Sequence, residues 1–199
     1  CREPNWARKL GTEQMALNAD MKERRRTMVF IPAYRCETQI PRVLNQIKNV
    51  RFAGLIDLVM VVDNISPDAT RERARDAASE LGIPWRVWRN ESNYGLGGSH
   101  KAAFTYAKAN GFDYLIVLHG DDQADIRDIL PALESGQAYQ PDCYLGSRFS
   151  NGSQLQGYSR FREFGNRVYN LLFSIVCGAK VQDLGSGLNM YRLSKIDLK

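Results

Sequence analysis

The strongest constraint on the fold of this chain is a five-residue apolar run, Tyr114–Leu118, that stops abruptly at His119-Gly120. Its β-branched and aromatic residues suit a strand that is buried on both faces of a parallel sheet. The polar residues that follow at once are Asp121, Asp122, Gln123 and Asp125. Open α/β sheets bind ligands outside the carboxyl ends of their strands. The stretch therefore predicts either a ligand site or a solvated acidic turn after a core strand.

The donors in this stretch suit a hard divalent cation. Asp121 and Gln123 offer oxygen ligands, and His119 offers a neutral imidazole nitrogen. Mg²⁺ and Mn²⁺ accept such ligands. We therefore expect His119, Asp121 and Gln123 to form the metal-binding part of the site, if the stretch is a site.

Strands and helices alternate along the rest of the chain. The predicted strands are 27–31, 55–62, 85–88, 114–118, 143–146 and 188–192. The first predicted helix carries a buried stripe from Ile40 to Ile47, and the second runs from Ser66-Pro67-Asp68 to Gly82. The third is opened by Asn93–Gly98 and runs to about Asn110, and the fourth covers residues 126–139. This alternation predicts an α/β fold with a Rossmann-like, mostly parallel sheet flanked by helices. We expect an N-terminal extension at 1–27 and one domain at 28–199.

Composition excludes several classes of protein. A length of 199 residues, 44% hydrophobic residues and a net charge of +5 describe an ordinary globular domain without the basic stripe of a nucleic-acid-binding protein. The four cysteines show neither a close pair nor metal-ligand spacing, which favours a reducing, cytoplasmic compartment. No apolar run approaches the roughly 20 residues of a membrane-spanning helix.

Three predicted strands end in polar loops, at Pro32–Glu37, Asp63-Asn64 and His119–Asp125. Parallel strands bring such loops to one edge of the sheet, where they can share a ligand. For single residues a structural role competes with a binding role: Asp63 can bind a nucleoside or cap a helix. Tyr34 can likewise stack on a base or pack within its loop, and Arg148 can clamp a phosphate or form a surface ion pair.

Six motifs then resemble a known family in order and spacing. They are Pro32-Ala-Tyr34 with Glu37, Val62–Thr70, Asn93-x-Gly-x-Gly-Gly98, His119–Gln123, Gly146-Ser-Arg148 and Asp183-x-x-Ser-Gly187. They are similar to the family 2 glycosyltransferases of the GT-A fold, particularly the dolichyl- and undecaprenyl-phosphate sugar transferases. The resemblance implies inverting transfer of a sugar from a UDP- or GDP-linked donor, with Mg²⁺ or Mn²⁺ on the diphosphate.

The resemblance also assigns residues to roles. The residues that the resemblance assigns to binding of the nucleotide sugar are Pro32, Tyr34, Glu37, Val62, Asp63, Asn64, Gly120 and Arg148. It implies catalytic roles for Asp121, Arg148 and Asp183, with Asp183 near the acceptor. His119 stands where the first acid of the D-x-D signature is usual, Asn64 replaces a usual second acid, and Arg35-Cys36 replaces a usual Asn-Glu. The lost carboxylate predicts weaker metal binding, or a shift toward Mn²⁺.

The expected acceptor is a polyprenyl phosphate, with peripheral contact at the inner face of a membrane and continuation of the intact protein past Lys199. Two alternatives remain: transfer to a saccharide hydroxyl with Asp183 as base, or nucleotide-sugar binding without turnover. A nucleotidyltransferase is a weaker third, because Pro32–Glu37 lacks the glycines of a phosphate-binding loop.

Overall fold

A six-stranded sheet forms the framework of the computed structural model, which describes residues 25–146, 170, 172–176, 178 and 186–198. In chain order the strands are β1 (Thr27–Ala33), β2 (Leu58–Asp63), β3 (Trp85–Arg89), β4 (Tyr114–Leu118), β5 (Cys143–Leu145) and β6 (Leu188–Arg192). They lie side by side in the order β3-β2-β1-β4-β6-β5. The first four strands in this order are parallel, and β6 runs antiparallel to both of its neighbours. The predicted α/β fold with a mostly parallel sheet is confirmed.

Helices cover both faces of the sheet. They are α1 (Ile40–Ile47), α2 (Thr70–Ala78), α3 (Gly95–Ala109) and the short α4 (Leu130–Glu134). Side chains of successive strand residues point to opposite faces, so Val29 and Ile31 of β1 pack on the α1/α2 side while Met28 and Phe30 pack on the α3 side. Every residue of β1, β2 and β4 is buried, as expected for strands covered on both faces.

The predicted start of the second helix was wrong. This helix begins at Thr70, four residues after Ser66. Ser66 Oγ accepts a hydrogen bond from Arg35 N at 3.1 Å, which ties the loop to the end of β1. Asp68 Oδ1 accepts from Thr70 N at 3.2 Å and from Thr70 Oγ1 at 2.6 Å.

Other predicted bounds also needed correction. The second helix ends at Ala78 and does not reach Gly82. Strand β2 begins at Leu58, because Asp57 turns its carboxylate to Thr27 N at 2.8 Å. The single helix predicted over 126–139 is a 3₁₀ turn, helix α4 and a second 3₁₀ turn, interrupted at Gly136 with a φ of 77°. Within the described residues, no helix has both the length and the apolar character needed to cross a membrane.

Candidate functional site

The three predicted loops meet at the carboxyl edge of the parallel strands. Ala33 at the end of β1 is in register with Asp63 at the end of β2, and Asn64 N donates to Ala33 O at 2.9 Å. On the other side of β1, Gly120 N donates to Pro32 O at 3.2 Å. Backbone hydrogen bonds therefore join all three strand ends.

Backbone strain marks the same three loops. The non-glycine residues with positive φ in the described part of the chain are Arg35 (52°), Ile65 (59°) and Asp122 (62°). One lies in each loop. This conformation costs free energy, most of all for a β-branched residue such as Ile65, and such residues concentrate at functional sites.

Gly120 sits where no side chain fits. A Cβ on this residue would lie 2.9 Å from Pro32 O and 3.4 Å from both Cys36 Sγ and Ile40 Cδ1. Pro32 itself is buried, and Val62 is fully buried among the α3-side core residues. Pro32, Val62 and Gly120 therefore shape the floor of the site through their backbone and packing.

Asp63 is a buried carboxylate with one oxygen left unsatisfied. Its residue is 1% exposed, and Oδ1 accepts a hydrogen bond from Ser66 N at 3.0 Å. In the part of the chain that the structure describes, Oδ2 has no hydrogen-bond partner, and Arg89 Nε, at 3.5 Å, gives only a loose ion pair. A buried hydrogen-bond acceptor that lacks a donor lowers the stability of the protein unless a ligand supplies the donor. Asp63 thus both organises the loop and offers an oxygen to a ligand.

Asn64 is the centre of a buried amide network. Its Oδ1 accepts from Asn90 Nδ2 at 2.8 Å and from Tyr94 N at 3.1 Å, and its Nδ2 donates to Asn93 Oδ1 at 2.7 Å. Asn90 Nδ2 also lies 3.0 Å from Ser99 Oγ. These bonds fix the loop after β3, and with it the start of α3, against the end of β2. The side-chain amide of Asn64 is thereby committed to internal contacts.

The loop after β1 presents the remaining residues predicted to contact nucleotide. Tyr34 is 47% exposed, and the Arg35 guanidinium lies 5.9 Å from its ring centroid. Glu37 is exposed, and its Oε2 accepts from Ala69 N at 2.9 Å, so it also braces the loop before α2. Tyr34 therefore has a ring face available to a ligand at this edge.

The predicted metal residues occupy one short turn. His119 is half-buried, and its N donates to Gly187 O at 2.9 Å. Asp121 and Gln123 are exposed, and Gln123 N donates to Asp121 Oδ1 at 3.2 Å. Across the described residues, no group of three or more His, Cys, Asp and Glu side chains is arranged to hold a metal ion.

The other two acids of this stretch form ion pairs. Asp122 Oδ2 lies 2.6 Å from Arg42 Nε, and Asp125 accepts from Arg127 N at 2.9 Å and pairs with its guanidinium. Burial acts to raise the pKa of Asp125, but the hydrogen bonds from Arg127 outweigh it and leave the pKa below its usual value. Of the three carboxylates near β4, Asp121 alone is left facing solvent.

Sequence reasoning missed two residues at this edge. His100, on α3, has its ring centroid 6.2 Å from that of His119. Gln46, on α1, donates to Asp122 Oδ1 and accepts from Ile126 N, each at 3.1 Å. That the chain has only two histidines was a possible signal for His100; nothing local distinguishes Gln46. Arg148 and Asp183 lie outside the described residues.

A mostly parallel six-stranded sheet with helices on both faces is the architecture of the GT-A glycosyltransferases. The chain matches the profile of Glycosyl transferase family 2 over residues 28–197. It belongs to this family, and the resemblance inferred from its motifs is confirmed.

Curated relatives are similar over most of the chain. Polyprenol monophosphomannose synthase of Mycolicibacterium smegmatis is 28% identical over 188 residues, covering 90% of this chain and 68% of the relative. Undecaprenyl-phosphate mannosyltransferase of Micrococcus luteus is 27% identical over 176 residues, covering 87% of this chain and 70% of the relative.

Solved structures show the same fold. Glucosyl-3-phosphoglycerate synthase of Mycobacterium tuberculosis, in complex with Mn²⁺, UDP and phosphoglyceric acid, superposes with a TM-score of 0.62 at 20% identity. The likeness covers 88% of this chain and 58% of that chain. S. aureus TarS superposes with a TM-score of 0.55 at 18% identity, covering 85% of this chain and 47% of the other. The chain thus spans about half to two thirds of the length of these proteins.

Proposed function

We propose that this family 2 domain transfers a sugar, with inversion, from a nucleoside-diphosphate-sugar donor to a polyprenyl phosphate. The observation that carries the proposal is the likeness, over 90% of the chain, to a relative named polyprenol monophosphomannose synthase. The undecaprenyl-phosphate mannosyltransferase, similar over 87% of the chain, supports the same acceptor class. The base of the donor, uracil or guanine, stays open in this proposal.

The nucleoside end of the donor lies at the ends of β1 and β2 in this proposal. Asp63 Oδ2 accepts a hydrogen bond from the base or the ribose, which satisfies an acceptor that has only a loose ion pair with Arg89. The exposed ring of Tyr34 stacks on the base. Asn64 and Glu37 contribute indirectly, because their internal hydrogen bonds position the loops that carry the binding residues.

A divalent cation fits the turn after β4 only if the diphosphate of the nucleotide sugar supplies some of its ligands. His119, Asp121 and Gln123 are ligands of the type that bind Mn²⁺ and Mg²⁺. One Asp121 oxygen is engaged by Gln123 N, and the described residues offer no set of three acidic or imidazole ligands. The donor diphosphate must therefore supply part of the coordination, as substrate phosphates commonly do for Mg²⁺. When bound, the cation offsets negative charge on the leaving diphosphate.

The chemistry follows from an acceptor that is already ionised. An acceptor phosphate oxygen forms a bond to the anomeric carbon while the bond from that carbon to the diphosphate oxygen breaks, and the nucleoside diphosphate leaves with the electron pair. A phosphate needs no strong base at neutral pH, so the protein chiefly positions the reactants. We assign Arg148 to a phosphate and Asp183 to orienting the acceptor.

Such an acceptor places the domain at a membrane surface. We propose peripheral contact at the inner, cytoplasmic face, where the net positive charge favours anionic lipid.

The test is a transfer assay that compares acceptors. The purified protein is given UDP- and GDP-sugars with a short-chain polyprenyl phosphate or a panel of saccharides. Turnover on the lipid phosphate is expected. Turnover on a saccharide hydroxyl alone would overturn the proposed acceptor and make Asp183 the base to mutate. Nucleotide-sugar binding without turnover on any acceptor would leave a binding domain.

A further inference from the structure

Strand β3 forms one edge of the sheet and is open on both of its faces. It stands first in the strand order, so among the described residues β2 is its only neighbour in the sheet. Every residue of β1, β2 and β4 is buried, whereas four of the five residues of β3 are exposed and Val87 is half-buried. The helices on either side therefore leave this strand accessible to a partner.

The outer side of β3 carries backbone groups without hydrogen-bond partners. Asn90 N, directly after the strand, donates to Asp63 O at 2.9 Å, so the even-numbered residues of this segment face β2. Backbone groups alternate along a strand, and Trp85, Val87 and Arg89 therefore direct their N–H and C=O groups outward. Within the described residues these outward groups make no hydrogen bond. An edge of this kind is a template for another strand.

Tryptophan and arginine side chains alternate along this edge. Trp85 is 38% exposed and Trp88 is 51% exposed. The Arg86 guanidinium lies 5.8 Å from the centroid of an aromatic ring of α3 and forms no ion pair among the described residues. Arg89 has only a loose ion pair, at 3.5 Å, with a carboxylate of β2. Aromatic and arginine side chains together are typical of the centre of a protein interface.

The order of these side chains is self-complementary in an antiparallel pair. When Val87 lies opposite Val87 of a second copy, Trp85 lies opposite Arg89, and Arg86 lies opposite Trp88. Opposite residues point to the same face, so each indole ring meets a guanidinium, which is a favourable cation–π contact. The same register makes the outward-facing residues hydrogen-bonded pairs, which exchange both backbone bonds.

Neighbouring registers lack this complementarity. A shift by two residues in one direction sets Arg86 against Arg86 of the second copy, and like charges that lie directly opposite are destabilising. The same shift in the other direction sets Trp88 against Trp88 and leaves the arginines without an aromatic partner. The sequence of β3 therefore favours one register.

We propose that β3 pairs antiparallel with β3 of a second copy of this chain, about a two-fold axis at Val87. The two sheets then form one continuous sheet, and each copy contributes the same surface. A lipid surface would accept the same tryptophan and arginine side chains, but it offers no strand to the outward backbone groups. The inference does not depend on the proposed function.

The mass of the protein in solution tests this pairing. Sedimentation velocity over about 1 to 100 µM should show the original protein approaching twice 22.6 kDa as the concentration rises. Val87→Pro removes an outward N–H but no bond to β2, as edge strands tolerate, and should weaken dimerisation by about tenfold or more. Trp88→Arg sets two arginines opposite each other and should have an effect of about the same size.

Exchanging the two side chains tests the register. The double variant Arg86→Trp with Trp88→Arg restores a tryptophan opposite an arginine, so it should dimerise within about threefold of the original protein. Leu145→Arg is the control, because Leu145 is 59% exposed on β5 at the opposite edge of the sheet. This variant should dimerise like the original protein. Circular dichroism checks that each variant is folded.

A monomer at every concentration would overturn the proposal, as would equal dimerisation of Trp88→Arg and the original protein. A double variant as weak as Trp88→Arg alone would overturn the proposed register. Vesicles containing phosphatidylserine distinguish the lipid surface: a monomer that binds them through Trp88 would overturn the pairing in favour of membrane contact. Should Val87→Pro not fold, Trp88→Arg and the double variant still decide the question.

Discussion

The side-chain amide of Gln46 donates to Asp122 Oδ1 at 3.1 Å, although 76 residues separate the two in sequence. The same amide accepts from Ile126 N at 3.1 Å, so one side chain of α1 holds both ends of the turn that carries Asp121 and Gln123. Asp122 is one of the strained residues, with a φ of 62°. Gln46 therefore stabilises the conformation of the candidate metal turn.

Replacing this amide should loosen the turn. Gln46→Glu keeps the size of the side chain, removes the Nε2 donor and sets a carboxylate against Asp122. We expect the free energy of unfolding to fall by about 1 to 2 kcal/mol, from one lost hydrogen bond and the repulsion between two carboxylates, and metal-dependent nucleotide affinity to fall about tenfold. Urea unfolding and calorimetry measure the two effects. Asn45→Ala, at the exposed neighbouring position, should change neither; an equal effect of both variants would contradict the assigned role.

Gly120→Ala should disrupt the contact between the ends of β1 and β4. The added Cβ would lie 2.9 Å from a backbone oxygen, that of Pro32, which can yield only if the strand moves. Overpacking of this kind costs about 1 to 3 kcal/mol of stability, and nucleotide binding should weaken as well.

Gly97→Ala is the matched control for that substitution. It lies within α3 at ordinary φ with no atom within 4 Å of the new Cβ, so stability should hold or rise by up to about 1 kcal/mol. Thermal unfolding distinguishes the two variants. A stable Gly120→Ala protein with unchanged binding would show that the close approach is not required.

Asp121→Ala should remove the metal dependence of nucleotide binding. Its carboxylate is the exposed one of this stretch, while Asp122 and Asp125 are engaged in ion pairs. Affinity for UDP or GDP in Mn²⁺ should fall about tenfold or more, to the level measured in EDTA. Asp128→Ala, on the following 3₁₀ turn, should behave like the original protein. Equal affinities in Mn²⁺ and EDTA for the original protein would reject a metal role here.

Asp63→Asn should weaken nucleoside binding without lowering the stability of the protein. The change removes a buried charge that lacks a hydrogen-bond partner, together with its loose ion pair to the half-exposed Arg89, so the free energy of unfolding should change little. Nucleoside affinity should nevertheless fall by about tenfold, because the amide presents a donor where the ligand also donates. Calorimetry with UDP and GDP measures this loss, with the exposed Asp76→Asn as control. Unchanged affinity for both nucleotides would exclude Asp63 from the nucleoside site.

Cys36 should make stability fall at alkaline pH. Burial raises the pKa of its thiol from 9.0 to about 11. In the unfolded chain the thiol ionises at lower pH than in the folded protein. The contribution of the protonated thiol to the free energy of unfolding is therefore complete below pH 9 and is lost as pH rises toward 11. Chemical unfolding at several pH values should show a steeper decline in the original protein than in Cys36→Ala. Parallel curves would mean that the folded thiol titrates normally.

The sequence by itself determined the sheet and the edge at which three strand-end loops meet. Apolar runs such as Tyr114–Leu118, the helical stripe from Ile40 to Ile47 and the change to polar residues after the strands are local signals. Parallel strands then bring their carboxyl ends to one edge. Alternation therefore predicted the α/β fold, and the loops after β1, β2 and β4 were correctly expected to meet.

Tertiary structure alone decided how individual side chains are used. Ser66 and Asp68 carry the pattern of a helix start, but Ser66 is bonded to the distant Arg35, and Asp68 bonds to Thr70, where the helix begins. Asn64 resembles a ligand-binding residue in sequence, and the fold commits its amide to Asn90 and Asn93. The proximity of His100 to His119 depends on how α3 packs across β1. A local pattern fixes the backbone, whereas a hydrogen-bond or metal partner depends on packing between segments far apart in the chain.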